Sequence, residues 1–105
     1  MQLPLHLQKA VAALLNQPGE TELSLRGAVL ERTRSAAGTV PDVLRDLVEK
    51  IAERPWTVTD EDFAGLRAAG YSESQLYEVT LAAALGAGLR RFDAGLRALQ
   101  EAEAR

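Results

Sequence analysis

The side chains of this sequence with enough chemistry for a site are carboxylates, guanidiniums and phenols. There is no cysteine and a single histidine, His6. Thiol nucleophiles, disulfides and cysteine zinc sites are therefore excluded, and one chain cannot assemble a multi-histidine metal site. We expect no metal and no cofactor. General acid–base chemistry needs two titratable groups brought together with displaced pKa values. Asp60, Glu61 and Asp62 are consecutive acids, but at a helix start their plain role is to face the positive end of the dipole. Glu78 and Arg91 give a sharper arrangement, in which Arg91 forms a salt bridge with Glu78 or Asp62 across a pocket or a subunit boundary. Arg90, Asp93 and Arg97 fall at spacings that make an exposed charge lattice along one helix. Trp56 follows Pro55 and reads as an anchor packed under a connector, or as the wall of a small apolar pocket. Tyr77, with Leu81 four residues on, is expected to be buried with its phenol still reaching a partner. Trp56, Tyr77, Glu78 and Arg91 are thus the candidate pocket or interface residues. His6 reads as a surface or interface residue, and no catalytic residue is assigned.

Helices must position these groups. Punctuation falls at Pro18-Gly19, Gly38 to Pro41, Pro55 and Gly70, and the apolar spacing between those marks is helical. Leu7, Ala10, Val11, Leu14 and Leu15 define a first helix over about 5–16. A second runs over about 23–37 with Leu25, Val29 and Ala36 inward, although residues 21–25 could instead be a short extended stretch. Pro41 suits the first turn of a third helix, in which Val43, Leu44, Leu47, Val48 and Ile51 make the apolar stripe. Residues 55–58 read as an extended connector. Thr59 and the acids after it open a short fourth helix that Gly70 closes. Ser72 and Gln75 then form a capping box at the start of the longest helix, which is expected to reach about Glu101, with residues 101–105 fraying. Along it, Leu81, Leu85, Leu89, Phe92, Leu96 and Leu99 form the packing stripe. The small residues Ala82, Ala83, Ala84, Gly86, Ala87 and Gly88 point to close crossing by neighbouring helices. Gly86 and Gly88 make no phosphate loop, since no strand precedes them and no Lys-Ser/Thr follows.

Composition sets the broad class. The chain has 105 residues, 47% hydrophobic and 26% charged, which fits one globular domain of residues 1–105. A net charge of −3 argues against a general nucleic-acid binder. No apolar run is long enough for a membrane span. The opening Met1 to Lys9 lacks the basic and apolar regions of a signal peptide, so the expectation is a cytoplasmic protein.

The passage from Leu47 to Asp62, a helix followed by Pro55 and then Val58-Thr-Asp-Glu-Asp62, resembles the AhpD-like and carboxymuconolactone decarboxylase family. Phe63 to Val79, with Leu66-Arg-Ala-Ala-Gly-Tyr-Ser-Glu73, is similar to the next passage of that family, and residues 80–96 to its long helix, in which a basic residue such as Arg91 recurs. The resemblance covers about 44–99; the helices of residues 1–43 are unmatched. It implies an all-α fold of about five helices, with an AhpD-like core in the C-terminal half completed by self-association. The peroxidase branch implies a Cys-x-x-Cys pair with a nearby His and Glu; this chain has no cysteine, so Cys-dependent peroxidase activity is excluded. The expectation is a non-catalytic, homo-oligomeric module with a structural, regulatory or small-molecule-binding role, for which a ligand or protein partner is open. The alternative is a decarboxylase-like enzyme that uses acid–base residues other than cysteine.

Overall fold

The structure, a computed structural model, describes residues 3–19 and 21–104. Met1 and Gln2 of the opening segment, and Arg105 of the segment expected to fray, lie outside the described residues, as does Glu20. The described residues form an all-α fold: α1 (Leu5–Asn16), α2 (Leu23–Ser35), α3 (Asp42–Glu53), α4 (Asp60–Ala68) and α5 (Glu73–Glu103).

Local chemistry explains the boundaries. Pro41 sits just outside α3 and Asp42 opens its first turn. Ser72 Oγ accepts from the Gln75 amide at 3.1 Å while Gln75 Oε1 accepts from the Ser72 amide at 2.9 Å, a reciprocal cap for α5. Gly70 takes φ +108, the left-handed turn that separates α4 from α5. Of the stretch that could have been extended, Glu22 alone has an extended backbone, Thr21 is a bend, and α2 starts at Leu23. Residues 55–57 wind into a 3-10 turn rather than an extended connector. Pro55 starts that turn, its carbonyl accepts from the Val58 amide, and Trp56 is left 79% exposed instead of anchored beneath it.

The core is made by Val29 and Leu30 of α2, Leu44, Leu47 and Val48 of α3, and Leu76, Val79, Ala82, Ala83 and Leu89 of α5, with Val40, Leu66 and Leu14 at its edges. On α5 the expected leucine stripe is mostly not the buried face. Leu89 is buried, but Leu81 and Leu99 are exposed and Leu85, Phe92 and Leu96 only half-buried. The small residues take the core instead, because α2 crosses α5 at backbone distance. A side chain at Gly86 would overlap the Thr33 hydroxyl and the Leu30 carbonyl. Gly88 behaves differently from the expectation of close crossing: it is exposed, and an added Cβ there meets nothing within 4 Å. Val29 faces inward as expected and Leu25 half so, whereas Ala36 is an exposed left-handed cap at φ 62.

The outcome is an elongated molecule of 54 × 29 × 21 Å. Its radius of gyration of 14.9 Å exceeds the about 13 Å typical of a compact chain this long. With 31 residues, α5 is about 46 Å long, so the long helix sets the long axis.

The crossing makes opposite predictions for two glycines. Gly86→Ala should lower the unfolding free energy by about 1–3 kcal/mol, the usual cost of overpacking a filled site, despite alanine's better helix propensity. Gly65→Ala, inside α4 with nothing within 4 Å of the added carbon, should raise it by about 0.5–1 kcal/mol. Urea denaturation of both variants checks this, and shifts of equal sign would overturn the crossing geometry.

Candidate functional site

Glu78, Arg90, Arg91 and Asp93 of α5 each bond to another part of the chain. At its N-terminal end, Glu78 Oε2 accepts from the Thr21 amide at 2.8 Å and from the Thr21 hydroxyl at 3.0 Å. Thr21 is buried in the connection between α1 and α2. Arg26, only 4% exposed, reaches the same connection from α2: its Nη2 donates to the Gln17 carbonyl at 2.5 Å and to that of Thr21 at 3.5 Å. Gln17 and Thr21 are therefore tied from two sides, and a side chain at Gly19 would overlap the Glu78 carboxylate.

Just past the middle of α5, Arg90 meets Glu53 of α3 at 2.6 Å, and Arg91 Nη2 donates to the Ala52 carbonyl at 2.8 Å, closing the C-terminus of α3. Asp93 takes Arg34 of α2 through both carboxylate oxygens, at 3.0 and 3.3 Å. Arg90 and Asp93 thus bond between helices rather than forming a lattice along one. Between α3 and α4, Lys50 Nζ lies 2.9 Å from Asp62 Oδ1, with side chains 23% and 16% exposed. Asp62 Oδ2 also accepts from the Thr59 amide at 2.9 Å, so this acid is a cap and an ion-pair partner together.

These contacts move three pKa values. The Thr59 amide first, then the Lys50 ammonium, hold the Asp62 carboxyl below its ordinary range. The hydrogen bond to Asp62 raises Lys50. The hydrogen bond from Arg90, reinforced by its charge, lowers Glu53.

The four residues singled out by sequence do not converge on one pocket. Tyr77 and Glu78 share the lining of a shallow cavity beside Gly19, Glu73 and Ser74, which Trp56 and Arg91 do not line. Tyr77 is 70% exposed, contrary to its expected burial. Glu78 and Arg91 are thirteen positions apart on one helix, about 20 Å along its axis, and neither pairs with the other or with Asp62 as the sharper arrangement required. Sequence reasoning missed Arg26, Thr21, Thr33 and Arg34. The buried face of α2 is Arg26, Val29, Leu30 and Thr33, spaced as a helix stripe but polar at both ends. Counting only apolar residues hides it.

A second feature is a cleft of about 280 Å³ between the end of α2 and the flank of α3, floored by Val40, Val48 and Ala52 and closed at one end by Arg90. No helix among the described residues is long and apolar enough to cross a membrane. Comparison of the chain with family models, curated proteins and solved structures gave no match.

Two predictions follow from the polar contacts. Glu78→Ala leaves the Thr21 amide and hydroxyl without their acceptor, so stability should fall by about 1–3 kcal/mol. Amide exchange should rise chiefly in α1 and at Gln17 and Thr21; unchanged protection there would count against the tie. The second concerns pH. Asp62 and Glu53 are lowered in the fold, so their contributions are complete above their ordinary values of 3.8 and 4.5 and disappear as pH falls through the folded values. Lys50 is raised, so its contribution is complete below 10.5 and disappears as pH rises through the folded value. Asp62→Asn should therefore shallow both the acid and the alkaline arm of a urea-midpoint-against-pH curve, and a variant curve parallel to the parent would contradict it.

Proposed function

We propose that this protein is a non-catalytic helical module that self-associates through the outward face of α5. The supporting observation is the pattern of that face. Tyr77, Leu81, Ala84, Gly88, Phe92, Gly95 and Leu99 follow one another at spacings of 4, 3, 4, 4, 3 and 4. That is an 11-residue repeat, 3.67 residues per turn, which stays nearly in line along a straight helix. At 100° per residue the face lies opposite the buried one, which centres on Ala82, Ala83 and Gly86.

Between Leu76 and Leu89 the helix is apolar on every side, interrupted only by Glu78 and Thr80. A helix of that kind is ordinarily buried all round, yet Tyr77, Leu81, Ala84 and Gly88 are exposed. A second copy of the same helix is the occupant that best suits it. Ala84, Gly88 and Gly95 present no bulk, so two backbones can approach closely, and the larger Leu81, Phe92 and Leu99 can pack beside them. An antiparallel pair about a two-fold near Gly88 would bring each face onto itself, the self-complementary arrangement of most homodimers. Tyr77 then belongs to an interface rather than to a pocket. The AhpD-like resemblance over residues 44–99 is part of the same reading, since that family's fold implies burial by self-association.

The face from Tyr77 to Leu99 is about 33 Å long and one helix wide, at the small end of specific interfaces. Micromolar affinity is therefore expected. Sedimentation equilibrium should show a concentration-dependent dimer that Leu81→Glu and Gly88→Arg each abolish while far-ultraviolet circular dichroism and monomer stability persist. A parent chain that remains monomeric at several hundred micromolar, or variants that dimerise as well as the parent, would refute the reading.

A further inference from the structure

The cleft between α2 and α3 has a composition that the packing of the fold does not require. Its floor is apolar and fully part of the core: Val40 and Val48 are each 2% exposed. Its rim is charged, with Arg32 from the last turn of α2, Arg45 from α3 and Arg90 from α5 outnumbering Glu49 and Glu53.

The rim charges are not equivalent. Arg90 is occupied by Glu53. Arg45 lies 3.3 Å from Asp42, one turn back on its own helix. Glu49 has Arg54 at 3.8 Å. Arg32 takes part in no ion pair and no side-chain hydrogen bond among the described residues. One guanidinium therefore stands at the mouth of an apolar cleft with its donors uncommitted. The guanidinium fork matches a carboxylate through two parallel hydrogen bonds. The acids Glu49 and Glu53 on the same rim disfavour a ligand that carries several negative charges. A volume of about 280 Å³ lies just below the usual range of drug-sized pockets, which limits the ligand to a small one.

We propose that this cleft binds a small amphipathic monocarboxylate, with its apolar body on Val40, Val48 and Ala52 and its carboxylate on Arg32. The site is independent of the α5 face, because Arg90 is the one α5 residue on its lining and it points to α3.

Octanoate is the probe, with octanol as its neutral counterpart, titrated into the full chain below micellar concentration and followed by methyl NMR. The expected result is saturable binding at one site per chain, with the largest shifts at Val40 and Val48. Arg32→Ala should weaken it by about tenfold or more, the loss expected of a charge-assisted pair. Arg67→Ala, on α4 and outside the cleft, should leave it within about twofold, since it removes only a remote charge. Octanol should bind about tenfold more weakly than octanoate, for the same reason as the Arg32 variant. No saturable shift at the floor methyls, an Arg32 variant that binds like the parent, or octanol equal to octanoate would each overturn the proposal. Because Arg32 is exposed, its removal should leave the helical signal intact, which separates loss of binding from loss of fold.

Discussion

The close passage of α2 over α5 at Gly86 sets the rest of the architecture. The Leu30 carbonyl and the Thr33 hydroxyl occupy the space that a side chain at 86 would fill. Thr33 can be buried there because its hydroxyl donates back to the Val29 and Leu30 carbonyls, at 3.3 and 3.1 Å. A polar residue satisfied within its own helix asks nothing of the helix opposite. Two backbones can then approach where ordinarily two layers of side chains would intervene. The choice of Gly86 as the contact fixes the rotation of α5 about its axis. Ala82, Ala83 and Ala87 must then face inward with it, and larger residues are turned to the flanks and the outside.

The polar contacts sit around this crossing and hold it in register. Arg34 with Asp93 joins the last turn of α2 to α5 past its middle. Arg90 and Arg91 bind α3 by its last turn, one through Glu53 and one through the Ala52 carbonyl. Glu78 and Arg26 fix the connection to α1. Partly exposed pairs of this kind contribute little to stability. What they do determine is which helix lies against which length of α5, because each charge has its partner at one position only. Helix α1 depends on this most. Leu14 is its one buried residue, so its place rests heavily on the ties at Gln17 and Thr21.

Helix boundaries were legible in the sequence because capping is local. Ser72, Gln75 and Gly70 each act within a few residues and lie where their chemistry placed them, while Pro41 falls one position before the first turn it was expected in. Facing was less legible, because it is decided by a neighbour. In α5 the leucines from Leu81 to Leu99 make a regular stripe, yet the alanines and Gly86 are the ones that permit α2 to approach. In α2 the buried stripe begins with Arg26 and ends with Thr33, so hydropathy gives no sign of it. The spacing of Arg90, Asp93 and Arg97 suggested pairs along one helix; partners on α2 and α3 were closer for the first two. Trp56 is large and apolar, but the 3-10 turn that Pro55 starts points it away from the core. The candidate site suffered most from this. Trp56, Tyr77, Glu78 and Arg91 were joined by residue type alone, although the long helix expected from the sequence already set Glu78 and Arg91 about 20 Å apart along its axis.

The rotation set at Gly86 also has a consequence for the outer side of α5. If the leucine stripe had packed inward, the alanines and glycines would have faced solvent, and an exposed small-residue face needs no cover. With the small residues inward, the outer face carries Tyr77, Leu81, Phe92 and Leu99 around the small centres Ala84, Gly88 and Gly95. Gly88 is informative here. It weakens the helix by about 1 kcal/mol relative to alanine, and no neighbour within the chain requires it. Gly86 has its reason in α2. For Gly88 the reason must lie outside the protomer or be absent, and its position at the centre of an exposed, straight, 11-residue apolar repeat favours a second backbone passing over it.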